Sequence, residues 1–120
     1  MKQRKWTRIG AYLIGAFFII GALGNIFPPD EVRANYLRWG YPSWFHYVTG
    51  ALELAAAVLL FSKYRLWGSA LGASIMLAAA GTVLINGELT HSIPPLVVLT
   101  LCAILAFAIF KHEPIPSQAD

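Results

Sequence analysis

The sequence predicts an all-α fold, an integral membrane four-helix bundle with a short interfacial helix between helices one and two. Two features of its composition lead to this class. Hydrophobic residues make up 58% of the 120-residue chain, and the mean hydropathy is +0.60. A soluble domain of this size could not bury that much apolar surface. A third observation is that the charged residues lie in short clusters beside long apolar segments, as membrane topology signals do.

Four apolar segments are predicted to cross the bilayer as one domain over residues 1–120. Their approximate ranges are 9–27, 44–61, 66–85 and 95–110. Pro28 and Pro29 end the first helix, and a short amphipathic helix follows. Gly40 interrupts that helix, and Ser43 can cap the second spanning helix. A disordered tail is predicted at about 112–120.

The first apolar segment has a second interpretation, a cleaved signal peptide. Ala22-Leu-Gly24 resembles a small-residue cleavage site. However, Ile9–Phe27 spans 19 residues, which exceeds the roughly 7–15 residues of an ordinary signal-peptide core. We therefore expect an uncleaved helix.

The distribution of lysine and arginine predicts the orientation. With the N-terminus inside, seven basic residues lie on the cytoplasmic side and two outside, which satisfies the positive-inside rule. The inner set is Lys2, Arg4, Lys5, Arg8, Lys63, Arg65 and Lys111, and the outer pair is Arg33 and Arg38. The expected location is the cell membrane, multi-pass, with both termini cytoplasmic. The short basic clusters do not indicate a nucleic-acid partner.

Glu53 is the candidate functional residue, because it is a carboxylic acid in the middle of an apolar segment. An acid at that depth is costly and is expected to face the interior of the bundle rather than the lipid. Ser74 and Thr100 lie at a similar depth on helices three and four, and they are its expected hydrogen-bond partners. Glu53 would then either accept a proton, bind a quinone or a cation, or simply join two helices.

The other candidate residues lie nearer the outer side. Asn86 and His91 follow helix three, and Trp44 belongs to an aromatic cluster that forms a membrane belt or flanks a flat lipid-soluble ring. Together these residues predict a polar pocket that opens outward and narrows towards Glu53.

A metal centre is not expected. His46, His91 and Glu88 are an adequate ligand set, but their long-range spacing carries no motif. Interfacial histidines that contact headgroups are commoner than metal ligands. The only cysteine, Cys102, excludes an internal disulfide and any Cys-x-x-Cys motif.

The spacing Gly68-x-x-x-Gly72 allows a close helix contact in lipid. We expect this contact within the chain, and a homo-oligomer is the alternative.

The segment Trp39-Gly-Tyr-Pro-Ser-Trp44, followed by Gly50-x-x-Glu53 and an alanine-rich run, resembles the DoxX-like family of small four-helix bacterial membrane proteins. The resemblance implies an association with oxidoreductase systems, since relatives include a subunit linked to thiosulfate:quinone oxidation. Glu53 matches the family's acid on helix two. Many relatives carry a histidine late in helix three, where this chain has Asn86, with His91 five residues further on.

The resemblance and the residues together favour an accessory or quinone-associated subunit of a membrane oxidoreductase system. Its partners would be the lipid bilayer and a redox-complex protein, and quinone is the candidate cofactor. No self-contained catalytic or redox centre is visible in the sequence. The alternatives are a proton-coupled small-molecule transporter and a non-catalytic membrane assembly factor.

Overall fold

The computed structural model describes residues 5–112, and within that range it contains helices and no strands. The helices are α1 (Lys5–Ile26), α2 (Asp30–Arg38), α3 (Phe45–Leu60), α4 (Arg65–Ile85) and α5 (Ile93–His112), with a 3₁₀ turn at Leu89–Ser92. The predicted all-α class is confirmed. The predicted disordered tail lies outside the described residues, except that His112 closes α5.

The helix boundaries differ from the sequence predictions by up to four residues. Helix α1 begins at Lys5 rather than near residue 9, because the polar residues before the apolar segment continue the helix. Helix α5 begins at Ile93 rather than at residue 95, since Pro94 and Pro95 are tolerated in a first turn that needs no N–H donors. The predicted cap of α3 is wrong: Trp44, not Ser43, occupies the N-cap position, with no side-chain hydrogen bond.

The helices α1, α3, α4 and α5 alternate in direction, which gives the molecule two distinct ends. Helix α2 and the connection between α4 and α5 lie at one end, called here the α2 end. The start of α1, the turn between α3 and α4, and the last turn of α5 lie at the other, called here the terminal end.

Two glycines shape the α2 end by stopping helices in the same way. Gly40 and Gly87 have φ values of +88° and +75°, a conformation that glycine adopts without steric cost. After α2, Tyr41 N donates to Tyr36 O at 3.0 Å, and after α4, Glu88 N donates to Val83 O at 2.8 Å. These are the bonds of Schellman motifs. They turn the chain sharply and fix the directions in which Tyr41 and Glu88 leave the helices.

The core lies between the long helices. Helix α1 packs mainly against α3, α4 packs against α3 and α5, and α1 also touches α5. Phe18 and Leu60 are the largest fully buried apolar side chains. The rest of the core consists of small and medium-sized apolar side chains: Ala11, Ala56, Ala57, Ile75, Met76, Val98, Cys102, Leu105 and Ile109.

Gly68 and Gly72 of α4 both make close contacts with other helices of the same chain. A Cβ at Gly68 would lie 2.7 Å from the backbone nitrogen of Leu60, and a Cβ at Gly72 would lie 2.7 Å from the Phe18 ring. Gly68 therefore sets the approach of α4 to α3, and Gly72 makes room for the central phenylalanine. This agrees with the intramolecular interpretation of the spacing.

The outer surface of the helices is apolar. Exposed side chains include Leu13, Ile20, Val58, Leu77, Ile104 and Phe107. Helices α1 and α4 and the segment Leu89–His112 are long and apolar enough to cross a membrane, whereas α3 is a shorter apolar helix. Its 16 residues correspond to about 24 Å, less than a hydrocarbon core of about 30 Å.

A glycine-to-alanine pair on α4 tests the close helix contact. Gly68→Ala should lower the free energy of unfolding by about 1–3 kcal/mol, because the new methyl group collides with the α3 backbone. Gly81→Ala is the matched control, since a Cβ there meets no atom within 4 Å. It should be neutral or slightly stabilising because alanine favours helix. Equal losses in the two variants, measured by denaturant titration in detergent, would contradict this packing.

Candidate functional site

Glu53 lies on the buried face of α3. Gly50, Glu53, Ala57 and Leu60 are buried at helical spacing and turn towards the other helices. The side chain of Glu53 has 4% of its surface exposed, as expected for an acid in an apolar segment. Its Oε1 atom accepts a hydrogen bond of 2.7 Å from Asn25 Nδ2. The carboxyl group is therefore held against α1.

Asn25 connects three helices through its side chain and its backbone. Its Nδ2 atom donates to Glu53 on α3, and also to its own helix at Gly21 O, 3.1 Å away. Its Oδ1 atom accepts from the hydroxyl of Tyr36 on α2 at 2.8 Å. Its carbonyl oxygen lies 2.7 Å from His46 Nδ1 at the start of α3. Asn25, Glu53, Tyr36 and His46 are called here the Asn25 network.

The donors and acceptors of the Asn25 network follow from simple chemistry. A backbone carbonyl can only accept a hydrogen bond, so the amide atom that faces Gly21 O must be the nitrogen. For the same reason the proton of neutral His46 is on Nδ1, where it is donated to Asn25 O. His46 Nε2 is then an acceptor in the neutral ring and a donor after protonation.

Two glycines allow this close contact between α1 and α3. A Cβ at Gly21 would lie 2.5 Å from Glu53 Oε2, so any side chain there would displace the carboxyl group. A Cβ at Gly50 would lie 3.1 Å from the carbonyl oxygen of Ala22 and 3.2 Å from the Cβ atom of Asn25. Gly50 is needed because α1 lies close to its backbone, and Gly21 is needed because the Glu53 carboxyl group does.

Aromatic packing holds α2 over the Asn25 network. The Tyr36 ring lies within 5.7–6.2 Å of the rings of Trp39, Tyr41, Phe45 and His46. Tyr41 stacks on Phe45 with a centroid distance of 4.5 Å. Burial raises the pKa of the Tyr36 phenol. The hydroxyl therefore keeps its proton at neutral pH and donates to Asn25.

The structure corrects the predicted hydrogen-bond partners of Glu53. Ser74 Oγ donates to Ala70 O and Thr100 Oγ1 donates to Leu96 O, each at 2.9 Å within its own helix. Both side chains are exposed. Serine and threonine can satisfy their hydroxyl groups against the carbonyl one turn back, which leaves them free to face outward.

The predicted residues of the outer side do not join Glu53 either. Asn86 is exposed and donates to Thr82 O at 2.8 Å. His91 is exposed and contacts Glu88. Trp44 is 57% exposed. All three residues lie at the α2 end, but no hydrogen bond within residues 5–112 connects them to Glu53.

Glu88 is the centre of a second polar cluster at the α2 end. Arg38 donates through Nη2 to Oε1 at 2.8 Å and through Nε to Oε2 at 3.2 Å. Trp39 Nε1 donates to Oε2 at 2.9 Å, and His91 Nδ1 lies 2.8 Å from Oε1. The hydrogen bond with Arg38, followed by those with His91 and Trp39, lowers the pKa of Glu88 to about 2. This cluster joins α2 to the connection between α4 and α5.

The two histidines considered for a metal site lie in different places. His91 belongs to the Glu88 cluster, whereas His46 is 3% exposed and belongs to the Asn25 network. Within residues 5–112, no group of three or more His, Cys, Asp or Glu side chains could hold a metal ion.

A depression at the α2 end reaches the Asn25 network. Its volume is about 380 Å³, and its lining consists of Arg33, Leu37, Ser43, Trp44, His46 and Tyr47. The wall therefore combines aromatic rings and one cation with the buried histidine. His46 lines this depression and is also bonded to Asn25, which donates to Glu53.

The sequence places Asn25 on the outer part of the polar side that narrows towards Glu53, but it did not indicate that the two residues are paired. Tyr36 was missed as part of the site, and His46 was treated as an interfacial residue. A signal for Asn25 was present: it is an amide in an otherwise apolar helix, four residues after Gly21. Positions i and i+4 share a helix face, so a glycine followed by an amide indicates a close polar helix contact. Nothing comparable marked Tyr36, whose role depends on how α2 folds back.

The family comparison agrees with this architecture. A family model for the DoxX-like family matches residues 9–105. The chain belongs to the DoxX-like family. No curated protein and no solved structure matches it. Membership and the three long apolar helices together support a membrane protein.

In this DoxX-like chain, the segment Trp39–Trp44 has a clear structural role. Trp39 binds Glu88, Gly40 ends α2, and Tyr41 stacks on Phe45. Trp44 then occupies the N-cap position of α3. The segment therefore places α2 over the Asn25 network.

The lowered pKa of Glu88 predicts a pH-dependent contribution to stability. Because the folded pKa of about 2 lies below the ordinary value of 4.5, ionised Glu88 stabilises the fold above about pH 5, and this contribution disappears as the pH falls towards about 2. The difference in Tm between wild type and Glu88→Gln should therefore be constant near neutral pH and shrink in acid. Glu31→Gln, which removes a charge from α2 outside the cluster, is the control. A difference that stays constant down to about pH 3 would contradict the assignment.

Proposed function

We propose that this DoxX-like protein is a four-pass membrane subunit that binds a quinone and serves a membrane oxidoreductase system. The observation that carries the proposal is the Asn25 network, in which a buried carboxylic acid is joined by hydrogen bonds to a histidine at the rim of the molecule. Family membership supports the membrane setting. The redox association rests on the resemblance to relatives that act with quinone-linked enzymes.

The hydrogen bonding of Glu53 leaves room for a ligand or a proton. A carboxylate offers about four acceptor sites, and Asn25 is the one hydrogen-bond donor to Glu53 among the described side chains. A purely structural acid is normally matched by a more complete set of donors, because unsatisfied buried polar groups are costly. Glu88 provides the contrast within the same chain, since three side chains bind it.

The depression beside His46 has the chemistry that a quinone head group requires. Trp44 and Tyr47 offer aromatic surface to a flat ring. In its neutral form, His46 Nε2 accepts a hydrogen bond from a quinol hydroxyl, and in its protonated form it donates to a quinone carbonyl. One residue thus recognises both oxidation states, and Asn25 connects it to Glu53.

Electron transfer would require a partner protein. Quinol oxidation releases two electrons as well as two protons, and the side chains of the Asn25 network carry no redox centre. The proposed role is therefore to bind a quinone and to exchange protons with it, while a partner enzyme transfers the electrons.

Loss of the acid should weaken quinone binding. After gentle detergent extraction, the wild type should retain quinone measurable by liquid chromatography and mass spectrometry. Glu53→Gln should reduce occupancy about tenfold, because it disturbs the hydrogen bonds of Asn25, which holds the His46 ring beside the depression. Ser74→Ala is the matched control, because Ser74 lies at a similar depth and bonds its own helix. Its occupancy should equal that of the wild type.

Two results separate this proposal from its alternatives. If Glu53→Gln changes thermal stability but leaves quinone occupancy and partner proteins unchanged, the acid only joins helices and the assembly-factor interpretation is favoured. If the wild type carries no quinone but reconstituted vesicles show pH-driven substrate flux, the transporter interpretation is favoured.

The proposed orientation places the α2 end outside the cytoplasm. The basic residues at the terminal end include Lys5, Arg8 and Lys111, whereas Arg33 and Arg38 lie on α2. The positive-inside rule then supports cytoplasmic termini and a depression that opens to the outer side.

Cysteine labelling tests this orientation. In a Cys102→Ala background, Ser43→Cys reports on the α2 end and Ser62→Cys on the turn at the terminal end. A membrane-impermeant maleimide should label the first in intact spheroplasts and the second only after permeabilisation. The reverse pattern would place the quinone depression on the cytoplasmic side.

A further inference from the structure

Arg65 is a buried cation at the terminal end. It is the first residue of α4, and 3% of its surface is exposed. Its Nε and Nη1 atoms are buried without a hydrogen-bond partner in the structure. One turn further on, Ser69 is completely buried, and its Oγ atom is also without a partner. Three hydrogen-bonding atoms are therefore left unsatisfied in one part of α4.

Arg65 and Ser69 lie on one face of the helix, because their spacing is i and i+4. Helical side chains lean towards the N-terminus, which brings the Ser69 hydroxyl towards Arg65. The guanidinium carbon lies 5.9 Å from the centre of the Tyr12 ring on α1, and Tyr12 packs against Phe61 at the end of α3. Arg65, Ser69 and Tyr12 are called here the Arg65 site.

The charge of Arg65 has no counterpart among the described acids. Glu53 is hydrogen-bonded to Asn25, and Glu88 is paired with Arg38. The remaining acids of residues 5–112, Asp30 and Glu31, begin α2 at the opposite end. A guanidinium keeps its charge inside proteins and is costly to bury without an anion.

We propose that the Arg65 site binds the phosphate group of a phospholipid. Guanidinium N–H groups and a serine hydroxyl are donors suited to phosphate oxygens. The start of the 21-residue helix α4 also favours an anion, because the helix dipole is positive there.

The surroundings of the Arg65 site favour a lipid as the source of the phosphate. Trp6 and Trp67 are exposed at the same end, and such aromatic residues lie at the level of lipid headgroups. Lys5, Arg8 and Lys111 add positive charge at this end. Basic residues close to the headgroup plane attract anionic lipids.

Thermal unfolding in a maltoside detergent tests the proposal, with short-chain phosphatidylglycerol as the probe. Diacylglycerol with the same chains controls for the tails, and inorganic phosphate controls for the free anion. Phosphatidylglycerol should raise the Tm of the wild type, and Arg65→Gln should weaken its apparent affinity about tenfold or more. Arg8→Gln is the matched control, since it removes the same charge from an exposed position at the same end. It should lose much less of the response than Arg65→Gln.

A structural role for Arg65 predicts a different pattern. Without lipid, Arg65→Gln removes an unpaired buried charge and should not lower the Tm. If Arg65 instead stabilised the fold by itself, the same substitution would lower the Tm in the absence of lipid. Ser69→Ala is a second variant that leaves the charge in place. It should be neutral or stabilising without lipid, because it removes an unsatisfied hydroxyl, and it should reduce the gain from phosphatidylglycerol.

Several outcomes would overturn the proposal. Equal effects of diacylglycerol and phosphatidylglycerol would show that only the tails bind. Equal losses in Arg65→Gln and Arg8→Gln would show that general charge, and not this site, attracts the lipid. A full response to inorganic phosphate alone would support phosphate recognition by Arg65 but overturn the lipid source.

Discussion

The hydrogen bond from Asn25 to Glu53 is the interaction on which the arrangement at the α2 end depends. It joins α1 to α3 at a close contact for which Gly21 and Gly50 provide the space. The same asparagine binds Tyr36 of α2 and His46 of α3. If Asn25 turned away, the acid would lose its donor, and α2 would lose its polar contact with the end of α1.

Glu53 and Glu88 lie in different surroundings and have different partners. Glu88 lies at the α2 end and has an arginine, a tryptophan and a histidine as partners. It therefore joins α2 to the connection between α4 and α5. Glu53 lies among apolar helices and faces a neutral amide. A neutral amide satisfies one hydrogen-bonding position of the carboxyl group and leaves the others open. That difference makes Glu53, and not Glu88, the better candidate for a group that binds a ligand or a proton.

The sequence predicted much of the fold, because apolar segments, prolines and glycines mark helices and their ends directly. It also predicted that Glu53 is buried, since an acid in an apolar helix is costly on the outer face. The partner helix was predicted wrongly. Periodicity tells which face of a helix is buried, but it does not tell which of several neighbours that face meets. Ser74 and Thr100 were suitable in depth but bond their own helices.

The contacts at the α2 end were harder to predict for a geometric reason. They depend on how α2 folds back over the helices, which is set by the turns at Gly40 and Gly87. Arg38 and Glu88 are fifty residues apart in the chain and meet only after both turns are made. His91 was expected near Glu88 and does lie there, whereas His46, considered for the same site, is held by Asn25.

A double-mutant cycle between Asn25 and Glu53 tests the central claim most directly. The free energy of unfolding would be measured in detergent for wild type, Asn25→Ala, Glu53→Ala and the double variant. Direct contact predicts a coupling energy of about 1–3 kcal/mol, whereas the control pair of Asn25→Ala with Ser74→Ala should be additive within about 0.5 kcal/mol. Additive effects of Asn25→Ala and Glu53→Ala would contradict the account, because the two side chains would then not share a hydrogen bond.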